Sequence, residues 1–284
     1  VARGELVADR GAAVRVKAEV RRMKDELFKS AQEFRLHPCR RWAMSNLDSM
    51  QSDERKPALN QSGINRLIQV IGSTALIAAL MFLAAGRLDW MSAWVFLALS
   101  TLTFLTAGVY VVRKNPDVVN ERGKGAEGAK TWDRILTTIY AAFMFAMYIV
   151  AGIDAGRFQW SVMPLALQVL GGSGFVLGML WMYWAMLTNT FLAMVVRIQS
   201  ERGHRTVSSG PYRYVRHPMY VGILVSYGAT PLLLGSWLAL IPFAIMGALL
   251  VLRTSLEDKT LQNELVGYAE YAQRVRYRLM PGVW

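Results

Sequence analysis

Long apolar runs separated by short polar stretches set the plan of this chain from residue 67 onward. The runs 67–86, 91–112, 135–153 and 162–187 carry almost no charge. Each has roughly twenty residues or more, enough for a helix to cross about 30 Å of hydrocarbon. Trp90, Trp94, Tyr110, Trp132 and Trp160 fall near the ends of runs, where an interfacial aromatic belt is expected. The last apolar block, 219–252, is too long for one crossing and short for two. Pro231, Gly235 and Pro242 interrupt it. The pattern predicts two short helices joined at Leu234-Gly235-Ser236; the other reading is one tilted span plus a re-entrant piece. The expected fold is all-α, a polytopic membrane helix bundle of about six transmembrane helices with the last two a short hairpin. Residues 1–62 read as a polar N-terminal extension, 63–187 as a four-helix transmembrane region, and 188–284 as a loop, the hairpin and a C-terminal segment.

Within the extension, Val16, Val20, Met23, Leu27, Ala31 and Phe34 recur at spacings of three and four. They predict one apolar helical face that Pro38 ends. Such a helix packs as a surface or coiled-coil element, or lies on anionic lipid through Arg15, Lys17, Arg21, Arg22 and Lys24. Residue 1 is Val, and Met44 and Met50 stand as alternative starts, so this stretch is read apart from the rest.

Charge supports the six-span map. Loop 113–134 carries six Lys/Arg, loop 188–218 five Arg, and the tail 253–284 five more basic residues. The alternate loops hold only Arg87 and Arg157. With six crossings every basic loop and both termini share one side, which the positive-inside rule makes cytoplasmic. Composition agrees: 54% of the 284 residues are apolar, the net charge is +12 and the mean hydropathy is +0.26. The spread of basic residues over several loops fits a surface on anionic lipid rather than nucleic-acid binding. Cys39 is the only cysteine and there are three histidines. That excludes an intrachain disulfide and a cysteine zinc site, and no metal is expected. Gly123, Gly125 and Gly128 match a dinucleotide fingerprint by letter, but no strand precedes them, so they read as a turn.

Two polar segments bracket the last apolar block. The first runs from Gln199 through His204 to Arg213, Arg216, His217 and Tyr220; the second opens with Arg253 and Glu257. A hairpin returns to the side it left, so it brings the two together at one membrane face. Arg253 and Glu257, four apart, share a helix face. They are either an exposed ion pair or part of a site. Pro218 suits a first helical turn, which makes His217 either a helix-start residue or a ligand contact. His204 stands as a second polar wall, and His37 as structural.

The combination Arg216-His217-Pro218-Met219-Tyr220 with Arg253-x-x-x-Glu257-Asp258 across an apolar hairpin resembles the isoprenylcysteine carboxyl methyltransferase and phospholipid methyltransferase group of membrane enzymes. The resemblance covers roughly residues 190–284. It implies S-adenosylmethionine as cofactor, contacted by Gln199, His204, Arg205, Thr206, Val207, Tyr212, His217, Pro218, Met219, Tyr220 and Glu257. It implies Arg253 as the residue that holds the substrate. Asp258 stands where the group often has a second Glu and is given no role. The function so implied is methyl transfer to a carboxylate on a lipophilic, isoprenylcysteine-like or lipid-modified acceptor. The alternatives are phospholipid amine N-methylation, an NADPH-dependent membrane reductase, and a transporter, the last disfavoured because the spans hold almost no ionisable groups.

Overall fold

The structure is a computed structural model that describes residues 19–26 and 58–284. The chain divides into two units, 1–56 and 57–284. In the first, residues 19–26 are helical and largely exposed, with an Arg22–Glu26 ion pair at 3.4 Å. Most of the expected amphipathic face, including Val16, Leu27, Ala31 and Phe34, lies outside the described residues, as do His37 and Cys39.

The second unit is helical throughout its regular structure. Helices α1 (Gln61–Ala85), α2 (Met91–Lys114), α4 (Thr131–Phe158) and α5 (Leu165–Thr188) take up the first four apolar runs. The short α3 (Pro116–Gly123) lies between α2 and α4. Then follow α6 (Pro218–Leu234), α7 (Leu240–Glu264) and α8 (Tyr268–Arg274). Five of these, α1, α2, α4, α5 and α7, are long and apolar enough to cross a membrane. The sixth, α6, has 17 residues, or about 25 Å at 1.5 Å per residue. Large apolar side chains such as Leu83, Val162 and Leu165 point outward, as lipid-facing positions should. The protein is an integral membrane helix bundle.

Asn60 caps α1 through its side-chain oxygen on the Gly63 N–H. The Asn120 side chain of α3 then binds the Asn60 N–H and the Ala58 carbonyl. Helices α5 and α6 pack backbone to backbone. A Cβ at Gly178 would lie 2.6 Å from the Ser226 nitrogen, and one at Gly222 the same distance from the Gly178 carbonyl oxygen. Small residues permit this approach where no hydrophobic force pulls helices together in lipid.

The hairpin departs from expectation in one respect. The turn falls at Gly235, whose φ of 81° suits glycine. Yet α7 is not short: it continues 12 residues past Leu252 and carries the polar segment on the same rod. Pro242 sits in the first turn of α7, where its missing N–H is no loss, whereas Pro231 lies inside α6 and the helix runs on to Leu234 without that residue's i→i−4 bond. Trp90 also departs from the interfacial belt. It is 7% exposed and packs with Ala93, Phe96 and Tyr148 in the bundle core.

At the turn end of the hairpin, Asp154 is fully buried. It lies in the π-helical last turns of α4 and accepts from the Ser161 N–H and hydroxyl (2.9 and 2.6 Å), from the Ser236 hydroxyl (2.5 Å) and from the Leu238 N–H (3.4 Å). This ties α4 to the α6–α7 turn.

Candidate active site

The opposite end of the hairpin holds a cleft lined by both polar and apolar side chains. Its walls come from the start of α6, the polar third of α7, the segment 189–212 and α8. Of the residues singled out in the sequence, His204, Arg205, Thr206, Val207, Tyr212, His217, Pro218, Met219, Tyr220, Arg253 and Glu257 all line it. Gln199 does not. Its side chain is fully buried inside the loop, donating to the Phe191 carbonyl (2.6 Å) and accepting from Arg202 (2.5 Å). It shapes the segment instead of facing the cleft.

Backbone pairing brings the two polar segments together. The Arg216 and His217 N–H groups donate to the carbonyls of Tyr277 and Arg278, at 2.9 and 3.0 Å. Pro218 opens α6 at its first turn, with His217 as the cap residue. The His217 ring lies parallel to Tyr220, centroids 5.7 Å apart.

The hub beneath is Asp258, which the sequence reading left without a role. It is fully buried. Arg216 binds it through two N–H groups (2.7 and 2.8 Å), Arg278 through Nε (2.9 Å), Gln262 through its amide (2.8 Å) and Tyr268 through its hydroxyl (3.0 Å). His217 Nε2 lies 3.3 Å from the same carboxylate. Arg216 donates further to the carbonyls of Val275 and Arg276. A single carboxylate thus joins α7, α8, the C-terminal segment and the start of α6.

Arg253 and Glu257 share a face of α7 but form no ion pair with each other among the described residues. Arg253 donates through Nε to Asp133 (2.7 Å), through Nη2 to the Met194 carbonyl (3.0 Å) and through Nη1 to the Tyr220 hydroxyl (2.5 Å). The Tyr220 hydroxyl in turn donates to Glu257. Asp133, fully buried at the start of α4, also accepts from the Val196 N–H at 2.7 Å. The exposed ion-pair reading of Arg253–Glu257 is replaced by a relay of four side chains, Asp133, Arg253, Tyr220 and Glu257. Glu257 is the one carboxylate on the cleft wall.

The outer wall is held by Glu121 of α3. It binds Arg197, Arg202 and Lys124. Burial would raise its pKa, but the Arg197 and Lys124 cations prevail and lower it. His204 stacks on Phe191 at 4.7 Å, and its Nδ1 accepts from the Gln199 N–H at 3.3 Å. Burial first, then the Arg202 and Arg197 charges, pull its pKa down to about 4. His204 is therefore neutral near pH 7, with its proton on Nε2 as a donor. The Tyr212 hydroxyl is buried and makes no hydrogen bond of sound geometry, although the Asn189 amide lies beside it. A buried polar atom without a partner is what a ligand would satisfy.

These residues suit S-adenosylmethionine chemically. Glu257 offers the anion that a sulfonium and ammonium need, and the Tyr220 ring offers cation–π attraction. Arg205 and the His204 Nε2–H are donors for a carboxylate. Phe191, Tyr212 and the apolar lining provide a slot for a flat base.

The isoprenylcysteine carboxyl methyltransferase family model matches residues 169–263. The chain is 31% identical over 136 residues to the cobalt-zinc-cadmium resistance protein CzcN of Cupriavidus metallidurans, covering 45% of this chain and 56% of that protein. It is 25% identical over 173 residues to the uncharacterized protein YpbQ of Bacillus subtilis, covering 60% of this chain and 96% of that one. The solved structure of the eukaryotic intramembrane Ras methyltransferase, isoprenylcysteine carboxyl methyltransferase, aligns over 74% of each chain at 18% identity with a TM-score of 0.45. The matched stretch 169–263 runs from α5 through α7 and holds most of the cleft wall. Over that stretch the chain is isoprenylcysteine carboxyl methyltransferase-like.

Proposed function

We propose that this chain is an S-adenosylmethionine-dependent methyltransferase acting at the membrane surface on a carboxylate borne by a lipophilic, isoprenylcysteine-like acceptor. The observation that carries the proposal is the pairing, in one cleft, of a lone carboxylate, Glu257, with a guanidinium, Arg253, linked through Tyr220. One end suits a cationic methyl donor and the other an anionic acceptor.

When bound, the cofactor supplies an electrophilic methyl on a sulfonium, which a carboxylate oxygen takes while the C–S bonding pair stays on sulfur. A carboxylate acceptor is already ionised at pH 7, so the protein needs no general base. Its task is alignment. Glu257 holds the positive end of the donor; His204 and Arg205 hold the negative end. Arg253, fixed on two sides by Asp133 and the Met194 carbonyl, has Nη1 turned toward Tyr220 and the cleft. A rigid donor of this kind orients an oxygen acceptor at small entropic cost. The cleft opens at the end of the bundle that carries the basic loops, which supports placing it on the cytoplasmic face, with the lipophilic acceptor arriving from the bilayer.

The test is binding of labelled S-adenosylmethionine to the detergent-purified protein, followed by transfer to prenylcysteine and to lipid pools. Loss of a charged contact in Glu257→Gln should weaken cofactor binding by about 10–100-fold. Arg253→Lys, which keeps a cation on Asp133, should lower transfer far more than cofactor binding. A wild-type protein that retains no S-adenosylmethionine sinks the proposal.

A further inference from the structure

Most cations around the cleft rest on a carboxylate, some sharing one. Arg253 lies on Asp133, Arg216 and Arg278 on Asp258, and Arg197 and Arg202 on Glu121. Arg205 and Arg122 have no acidic partner among the described residues. Arg205 is exposed on the cleft wall. Arg122, in the last turn of α3, is half-buried and lies behind the wall, against two of its residues.

Arg122 makes two long contacts, both from Nη1 at 3.4 Å, to the Ala193 carbonyl and to the Met219 sulfur. Ala193 and Met219 are both cleft-lining residues. Among the described residues Nε and Nη2 have no hydrogen-bond partner, so most of its five N–H donors are unused there. Its position is electrostatically unfavourable. Burial, and then the Arg66 and Arg253 cations, draw its pKa down to about 9, with Tyr220 and Tyr212 opposing. Arg66 of α1 is itself half-buried, with a single 3.5 Å contact to Gln69. A guanidinium drawn even halfway out of water without a counter-charge is destabilising. Surrounding it with a second and third cation makes this worse, unless an anion arrives with a ligand.

We propose that Arg122 binds the anionic group of the lipophilic methyl acceptor. The inference rests on the methyltransferase reading for the word acceptor, but not for the anion. The planar fork of Arg suits a carboxylate or a phosphate. Arg253, already neutralised by Asp133, contributes direction, and Arg122 contributes net charge. Arg122 lies outside the 169–263 stretch, so acceptor choice and donor grip come from different parts of the chain. A methyl ester no longer carries the charge that Arg122 holds, so this contact favours the acid over the product.

The experiment reads binding, independent of turnover, on the detergent-purified full chain. The labelled probes are a prenylated thioether carboxylic acid, its methyl ester, and a prenyl phosphate. The wild type should bind the acid or the phosphate at least about tenfold more tightly than the ester, the size of one charge-assisted contact. Arg122→Gln should erase that preference, and Arg122→Lys should keep part of it. A preference for the acid identifies a carboxylate, and one for the phosphate a lipid phosphate. S-Adenosylmethionine affinity, measured separately, should fall by less than about threefold in both variants, because the link from Arg122 to the cofactor side is one 3.4 Å contact to the Met219 sulfur. Arg122→Met, without ligand, should unfold at the wild-type temperature or above it, because an unmatched half-buried cation is gone. No preference in the wild type, full preference in Arg122→Gln, or marked destabilisation of Arg122→Met each overturns the proposal. Failure of the wild type to bind S-adenosylmethionine would remove the methyltransferase reading and leave the Arg122 result standing on its own.

Discussion

Asp258 is the place where the cleft is most open to attack by a single change. Asp258→Asn keeps the size of the side chain and removes its charge. Five side chains converge on that carboxylate, and Arg216 is the one that decides the outcome. The Arg216 side chain is 6% exposed and Asp258 fully buried, with two bonds of 2.7 and 2.8 Å between them. Arg278, with a side chain 31% exposed, loses far less because water replaces its partner. Stranding one buried guanidinium costs about 3–5 kcal/mol. For a chain of this size that corresponds to a fall of roughly 6–20 °C in unfolding temperature. The control is Asp258→Glu, which keeps the charge but forces an added methylene into a filled site, at about 1–3 kcal/mol. Thermal unfolding in detergent should therefore rank wild type above Glu above Asn. Cofactor affinity should follow the same order, because His217 and Tyr268 on the cleft wall lose their anchor. An Asn variant that unfolds within about 2 °C of wild type, below the shift this ledger requires, would refute the reasoning that Asp258 holds the cleft together.

Two further outcomes are expected. Gly178→Val places a side chain where the Ser226 nitrogen is 2.6 Å from the Cβ position, so α5 and α6 must part. The unfolding temperature in detergent should fall by several degrees, the consequence of about 1–3 kcal/mol of overpacking, and an unchanged value would contradict the close packing. His204, held near pKa 4 against an ordinary 6.5, refuses below pH 6.5 a proton that the unfolded chain accepts. Its contribution to stability is therefore complete above pH 6.5 and is lost as pH falls toward 4. Unfolding temperature followed across that window should drop more steeply for the wild type than for His204→Gln, and parallel curves would count against a neutral, buried imidazole.

Much of this was readable in the chain because lipid enforces a simple rule. A helix in hydrocarbon must be apolar over its full length, so the first four spans and the Gly235 turn stand out in the hydropathy pattern. The length of α7 did not, since apolarity ends at Leu252 while the hydrogen-bonded rod continues to Glu264. Hydropathy marks the edge of the membrane and not the end of a helix. The cleft residues carried on the motif, such as His217, Tyr220 and Glu257, were legible because the hairpin forces them together. Asp133 was not, because its partner Arg253 is 120 positions away and a lone acid before an apolar run looks like any span boundary. Asp258 was hidden for the same reason: Arg216 lies 42 positions earlier. Gln199 shows what a motif does not carry: its side chain is spent on the loop's own carbonyl and guanidinium, which only the folded segment reveals.

The two polar clasps on α6 and α7 have a mechanical consequence. Asp154 fastens the bend at one membrane surface, and Asp258 fastens the open ends at the other. A beam pinned at both supports neither pivots nor slides without breaking several short bonds at once. Beside the open ends runs the strap 189–209, whose regular structure is limited to the 3-10 turn Ser200–Arg202. That strap is moored to α3 by the Glu121 ion pairs and to the turn after α7 by the Thr206 hydroxyl on the Val266 carbonyl. The strap is bonded as well to Asp133 and Arg253 through Val196 and Met194, so one set of buried charges pins both walls of the cleft.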